Sequence, residues 1–323
     1  MRRRQGATGG DWLRRWLAAQ TLPYPSRFRW AMRFGKLGRL LRPLVPRRLK
    51  PMVDMVPLRL PAADPLREIN LPVGTRRARV ALLSGCAQQV LAPQINRAAV
   101  EVLTRNGVEV IVPARQVCCG ALSWHIGDSN RAQQFAQKNL EAFPTDVDAL
   151  ITTAAGCGSA IHEYPLILAG TDYHAAATHL AENSVDISVF LDRLGIAPPI
   201  PLAKRLRVAY HDACHLSHGQ QVRAAPRRLL ELIQGVELVE LVDTEICCGS
   251  AGTYNLDQPE IAHQLGQTKA EQILAVKPDM VALGNIGCMV QIDQHLTRLG
   301  AKIPVLHTIE LLQLAYRGML TVS

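Results

Sequence analysis

Eight cysteines carry the chemistry open to this 323-residue chain: Cys86, Cys118, Cys119, Cys157, Cys214, Cys247, Cys248 and Cys288. They form two sets of four with one layout. Each set has a lone Cys, then a Cys-Cys-Gly run, then a last Cys. Cys86 answers to Cys214, Cys118 to Cys247, Cys119 to Cys248 and Cys157 to Cys288, with nearly the same offset each time, which marks an internal repeat. Thiolates in fours select an iron–sulfur cluster or Zn²⁺. Zinc knuckles present Cys-x-x-Cys pairs, and vicinal cysteines separated by long intervals depart from that layout. Buried free thiols are the remaining alternative. They suit one Cys-Cys pair better than two pairs in register.

The elements that must position these thiols follow from periodicity. Short apolar strands are expected at 79–84, 108–112 and 149–153, and again at 207–211, 236–241 and 279–283. Between them lie helical stretches at 95–105, 131–143, 223–233, 261–274 and 289–299; Ile95, Ala99, Val102 and Leu103 share one face of the first. Alternating strands and helices predict an α/β fold of two pseudo-symmetric βαβ-type modules with short parallel sheets. Every Cys follows a strand, so the Cys sites belong at the strand C-terminal ends, where open α/β sheets place their ligands. Turn amides and helix N-termini there favour anionic sulfur. Gly120, Gly249, Gly156 and Gly158 are expected to let the backbone approach a bound cluster. The expected divisions are a basic Pro/Arg-rich segment over 1–78, a first cysteine-rich module over 79–200 and a second over 201–323, joined at Ala197–Pro201.

The charge divides the same way. Residues 1–78 hold 18 Lys+Arg and 4 Asp+Glu, a net +14; the remainder holds 18 and 23, a net −5. The body has no basic patch with interleaved aromatics, so no nucleic-acid partner is expected. The basic segment suits an acidic partner subunit, anionic lipid headgroups or a solvated linker. No signal-peptide core or uninterrupted span of about 18 apolar residues occurs. Eight cysteines are too sparse for a disulfide scaffold, and clustered thiols without an export signal point to metal or redox chemistry in a cytoplasmic setting.

The local runs carry a resemblance. Leu83-Ser-Gly-Cys-Ala-Gln88, Cys118-Cys-Gly-Ala121, Ala155-Gly-Cys-Gly158, Cys247-Cys-Gly-Ser-Ala-Gly-Thr-Tyr254 and Asn285-Ile-Gly-Cys288 resemble the CCG cysteine-rich domain of the heterodisulfide reductases. More closely, they resemble the iron–sulfur subunit of bacterial glycolate oxidase. The resemblance spans roughly residues 20–318. It implies all eight cysteines as ligands of iron–sulfur clusters, of 4Fe-4S type, with zinc an alternative in one module. It implies electron transfer from flavin-bearing glycolate dehydrogenase subunits towards membrane quinone, at the inner face of the membrane, with glycolate oxidation on the partners. A lactate or glycerol-phosphate complex would look alike.

Two departures qualify the resemblance. Heterodisulfide reductases carry a fifth Cys three residues after the last one of each module. Here those positions are Ala160 and Gln291, which points away from a five-cysteine cluster and from disulfide chemistry. The family also begins with a ferredoxin module, whereas this chain has no Cys before 86. That module is expected on a missing segment, the chain being a fragment, or on a separate chain. The competing functions are a structural zinc-binding docking subunit and heterodisulfide-reductase-like thiol/disulfide chemistry. Among the histidines, His211 and His215 bracket Cys214 and are read as hydrogen-bond donors to cluster sulfur ahead of ligands. His218, His263 and His295 are expected on helix surfaces, and Trp124 and Tyr254 in core packing.

Overall fold

A computed structural model describes residues 9–46, 49–54, 56–57, 59–244 and 246–321. Arg2–Arg4, Arg47 and Arg48 of the basic segment lie outside the described residues. The segment is more helical than its prolines suggest. It holds α1 (Gly9–Thr21), α2 (Pro25–Leu40) and α3 (Lys50–Asp54); Pro25 occupies the first turn of α2, where a missing N–H costs nothing. It also contributes β1 (Ile69–Asn70), which pairs antiparallel with the edge of the first sheet.

The first sheet continues with β2 (Ala78–Leu83), followed by α4 (Gln88–Leu91) and α5 (Pro93–Arg105), then β3 (Val108–Ile111). Next come α6 (Ala121–His125), α7 (Ser129–Ala142), β4 (Ala149–Thr152), α8 (Ala155–His162), α9 (Tyr164–Ile167), α10 (His174–Glu182), β5 (Ser184–Asp186) and α11 (Ile187–Leu194). Its order is β1-β3-β2-β4-β5, parallel apart from β1. The second sheet holds β6 (Leu206–Tyr210), a π-helical turn His215–Gly219, α12 (Ala224–Glu231), β7 (Val236–Glu240), α13 (Tyr254–Asp257) and α14 (Pro259–Ala275). It closes with β8 (Met280–Leu283), α15 (Ile286–Arg298), β9 (Val305–His307) and α16 (Thr308–Tyr316). Its order, β7-β6-β8-β9, is all parallel and matches β3-β2-β4-β5 strand for strand.

The central strands are buried on both faces. Val80, Ala81, Leu82 and Leu83 of β2 and all four residues of β8 are nearly inaccessible, the continuous apolar run expected of a covered parallel sheet. The last helix of each module packs on the other module: α16 lies along α5, and α11 along α12. One continuous core therefore includes Ile95 and Leu103 of α5, Leu191 of α11, Leu229 and Leu230 of α12 and Leu312 of α16. Polar seams close the junction. His307 donates from Nε2 to the Thr153 carbonyl (2.8 Å), and Ala155 N–H donates to the Gly284 carbonyl (3.1 Å).

Candidate metal centres

Each quartet of thiols comes from two loops beyond strand carboxyl ends and one helix start. Cys86 and Cys214 follow β2 and β6. The Cys-Cys pairs lie in the loops after β3 and β7. Cys157 and Cys288 are third residues of α8 and α15, inside the positive first turn of each helix. The glycine closing each Cys-Cys-Gly has a local reason. Gly120 and Gly249 adopt φ of +84° and +85°, a left-handed turn that aims the pair back at the site. A side chain on either would also meet the next helix: a Cβ on Gly120 would lie 3.4 Å from the Ala132 carbonyl oxygen, and one on Gly249 only 2.5 Å from that of Ala262. The backbone angle thus favours glycine at both, and helix packing demands it at 249. A Cβ on Gly158 would strike Gln220 of the second module, whereas Gly156 faces open space.

All eight predicted cysteines converge into the two expected sets, and all are free thiols. In the first, Cys86 Sγ lies 3.4 Å from Cys118 Sγ, and Cys119 interacts with Cys118 and Cys157. In the second, Cys247 contacts Cys214 and Cys248, and Cys248 contacts Cys288. Cys118, Cys119, Cys248 and Cys288 are buried; the other four are half-buried. The sulfurs compete for protons. Cys118 and neighbouring thiols hold Cys119 well below the ordinary thiol range, while hydrogen bonds to Cys119 push Cys118 and Cys157 up. Likewise Cys247 falls to about 2, chiefly through Cys214, then Cys248, while Cys248 rises through Cys247 and Cys288. All four thiols of a set can ionise together only with cationic compensation, which a bound metal centre supplies.

Donors aim at the sulfurs. Gly120 N–H points at Cys118 Sγ (3.5 Å), Gly249 N–H at Cys247 Sγ (3.3 Å), and Asn285 Nδ2 at Cys288 Sγ (3.3 Å). Such donors stabilise metal-bound thiolate and raise its potential. The second site has two features that the first lacks at the matching places. His211, buried after β6, stands where the first module has Leu83. Lys269 of α14 is fully buried, donates to the Asp243 carbonyl (3.2 Å) and feels the field of Cys248. Burial lowers its pKa. Sequence reading missed Lys269, although it lies on the helical stripe of Ala262, Gly266, Ala270 and Ile273, all buried.

The elements bearing Cys157 and Cys214 pack on each other, α8 against the turn His215–Gly219. His125 of α6 stacks on His215, ring centroids 6.0 Å apart, so the two sites face one junction. His215 Nδ1 lies 3.7 Å from Cys214 Sγ, as expected of a neighbour to cluster sulfur. His218 and His263 are exposed as expected, but His295 is not: it is buried, its ring 5.0 Å from that of His263, because the glycine at 266 leaves room for it. Ala160 and Gln291, the fifth-cysteine positions, are buried and offer no thiol.

Known proteins bear out the resemblance. The cysteine-rich domain named CCG matches residues 80–162 and 208–293. The glycolate oxidase iron-sulfur subunit of Escherichia coli is 32% identical over 303 residues, 92% of this chain and 70% of that protein. Lactate utilization protein A of Oceanobacillus iheyensis is 31% identical over 242 residues, 74% of this chain and 98% of that protein. A hypothetical protein from Helicobacter pylori of known structure shares the fold, with a TM-score of 0.51 at 12% identity, over 76% of this chain and 51% of that one. With both halves matched and both Cys-Cys-Gly loops in one geometry, the chain belongs to the CCG cysteine-rich domain family.

Proposed function

We propose that the chain is an iron–sulfur electron-transfer subunit of a 2-hydroxy-acid dehydrogenase complex. It takes electrons from flavin-bearing subunits and passes them towards membrane quinone. Glycolate is the favoured substrate of the complex, lactate the next, and its oxidation belongs to the partner subunits. The observation that carries this reading is the gathering of eight thiols into two quartets facing one junction. The names of the relatives support the same reading.

In this reading Cys86, Cys118, Cys119 and Cys157 hold one centre, and Cys214, Cys247, Cys248 and Cys288 the other. Four thiols per site suit 4Fe-4S clusters. The bound clusters would supply one-electron steps; the chain's own residues orient them, donate hydrogen bonds to sulfur and exclude water. The working units are the basic segment 1–78, the first module 79–200 and the second 201–323, with a ferredoxin-type module on another segment or chain as the electron relay.

A membrane-facing position is part of the proposal. No helix among the described residues is long and apolar enough to cross a membrane. On α2 and the turn after it, however, Trp30, Phe34, Leu37, Leu41 and Leu44 are exposed at helical spacing. Arg33 lies over Trp30 at 5.1 Å, and Arg27 over Tyr24 at 4.4 Å. An apolar stripe flanked by arginine is the pattern of an interfacial helix, and the cytoplasmic face of the inner membrane is where it would lie.

Anaerobic purification with iron and sulfide analysis and electron paramagnetic resonance tests the electron-transfer reading. Iron, labile sulfide and a reducible signal are expected. Zinc without iron would make the chain a structural docking subunit and end it. Cys248→Ser should remove far more metal than His218→Ala.

A further inference from the structure

The two metal sites are built on one plan but differ at a single buried position. His211 follows β6, three residues before Cys214, where Leu83 stands three residues before Cys86. Strand pairing gives the same equivalence. Leu83 pairs with Thr152, five residues before Cys157; His211 continues β6 beyond the Tyr210–Ala282 pair, opposite Leu283, five residues before Cys288. Leu83 packs among apolar groups that include Cys118 and Cys119. The fold therefore needs only an apolar filler here, and an imidazole is a departure from it.

That departure has a cost that no well-formed hydrogen bond offsets. His211 is 1% exposed, yet neither ring nitrogen has a hydrogen-bond partner among the described residues. An unpartnered buried polar group is unfavourable by about 1–3 kcal/mol. What the ring faces is sulfur: a ring nitrogen, Cys248 Sγ and Cys288 Sγ all lie within 4.8 Å of one another, and all three residues are buried. Two thiolates and an imidazole at that spacing form a metal-binding set.

We propose that His211 is a fifth donor of the second metal centre, which is therefore a Cys-and-His site beside an all-Cys first site. This rests on the reading of the quartets as metal sites. The second site alone has the buried Lys269, whose charge beside Cys248 favours the reduced state of that centre. The second centre is thus the electron-accepting end of the pair, and electrons run from the first module to the second.

The test uses the full chain, loaded anaerobically with iron and sulfide and carrying ¹⁵N-labelled histidine. Electron spin-echo spectroscopy of the reduced protein should show a nitrogen coupling that responds to the label. His211→Leu, which copies the first module, should abolish that coupling and keep the iron. His215→Leu should keep the coupling. A coupling that survives His211→Leu overturns the assignment, as does an iron-loaded parent chain with none; either result leaves the electron-transfer reading standing. Absence of iron overturns both. Should His211→Leu fail to fold, the labelled parent and His215→Leu still decide: no coupling in the parent, or its loss with His215, refutes the role of His211.

Discussion

Two buried groups at the module junction titrate in opposite directions, and their balance can be measured. His307 caps α16. Its Nδ1 accepts from Ile309 N–H (3.1 Å) and its Nε2 donates to the Thr153 carbonyl (2.8 Å), a pairing that only the neutral ring satisfies. Burial lowers its pKa from 6.5 to about 4. Asp186 caps α11 in the same way, one carboxylate oxygen accepting from Ser188 N–H and Oγ while the other has no partner among the described residues. Burial raises its pKa from 3.8 to about 6. Both line one cavity of about 10 Å³, room for a single water. As pH falls towards 4, the unfolded imidazole takes a proton that the folded one refuses, so His307 weakens the fold. Over nearly the same range the folded carboxyl holds a proton that the unfolded chain releases, so Asp186 strengthens it. Between about pH 7 and pH 5, linkage gives a loss of about 2 kcal/mol through His307 and a gain of about 1.3 kcal/mol through Asp186. Asp186→Asn should therefore steepen the acid-side loss of stability, and His307→Asn should flatten it. Urea unfolding across that range, on anaerobic metal-loaded protein, reads both as differences from the parent chain, so other titrating groups cancel. Slopes that shift the same way in the two variants, or that parallel the parent, would refute the reasoning.

Three further outcomes are expected. Phe34→Glu, at an exposed position, should reduce co-sedimentation with anionic vesicles without changing thermal stability; unchanged sedimentation would free the α2 stripe from a membrane role. Gly249→Ala, strained in φ and 2.5 Å from the Ala262 carbonyl oxygen, should destabilise the chain by more than about 1 kcal/mol and more than Gly120→Ala does. Equal thermal shifts in the two would mean that helix contact is not what selects the glycine. Lys269→Met should move one potential negative by about 40 mV, taking ~1 kcal/mol for a partly screened charge; redox titration checks it, and an unchanged pair of potentials would remove Lys269 from the site's electrostatics.

The thiols and central strands are legible because their signals are local. Runs such as Val80–Leu83 are apolar at every position, and Cys-Cys-Gly recurs in register. Very short elements carry no period, so β1, β5 and β9 leave no mark in the sequence. The starts of α8 and α15 read as loop because Gly156 and Gly287 are poor helix formers, yet they place Cys157 and Cys288 in a first turn. His295 reads as surface, and its burial depends on Gly266, which belongs to the preceding helix. Nor does any local pattern state which module a helix will cover.

That exchange of helices bears on how the protein comes into being on the ribosome. The face of α5 that α16 covers stays open until α16, far later in the sequence, has been made. Along the same seam, His307 and Gly284 supply the donor and acceptor groups that fix Thr153 and Ala155, on either side of the turn into Cys157. The first quartet to be synthesised is thus locked only once the second module has been added.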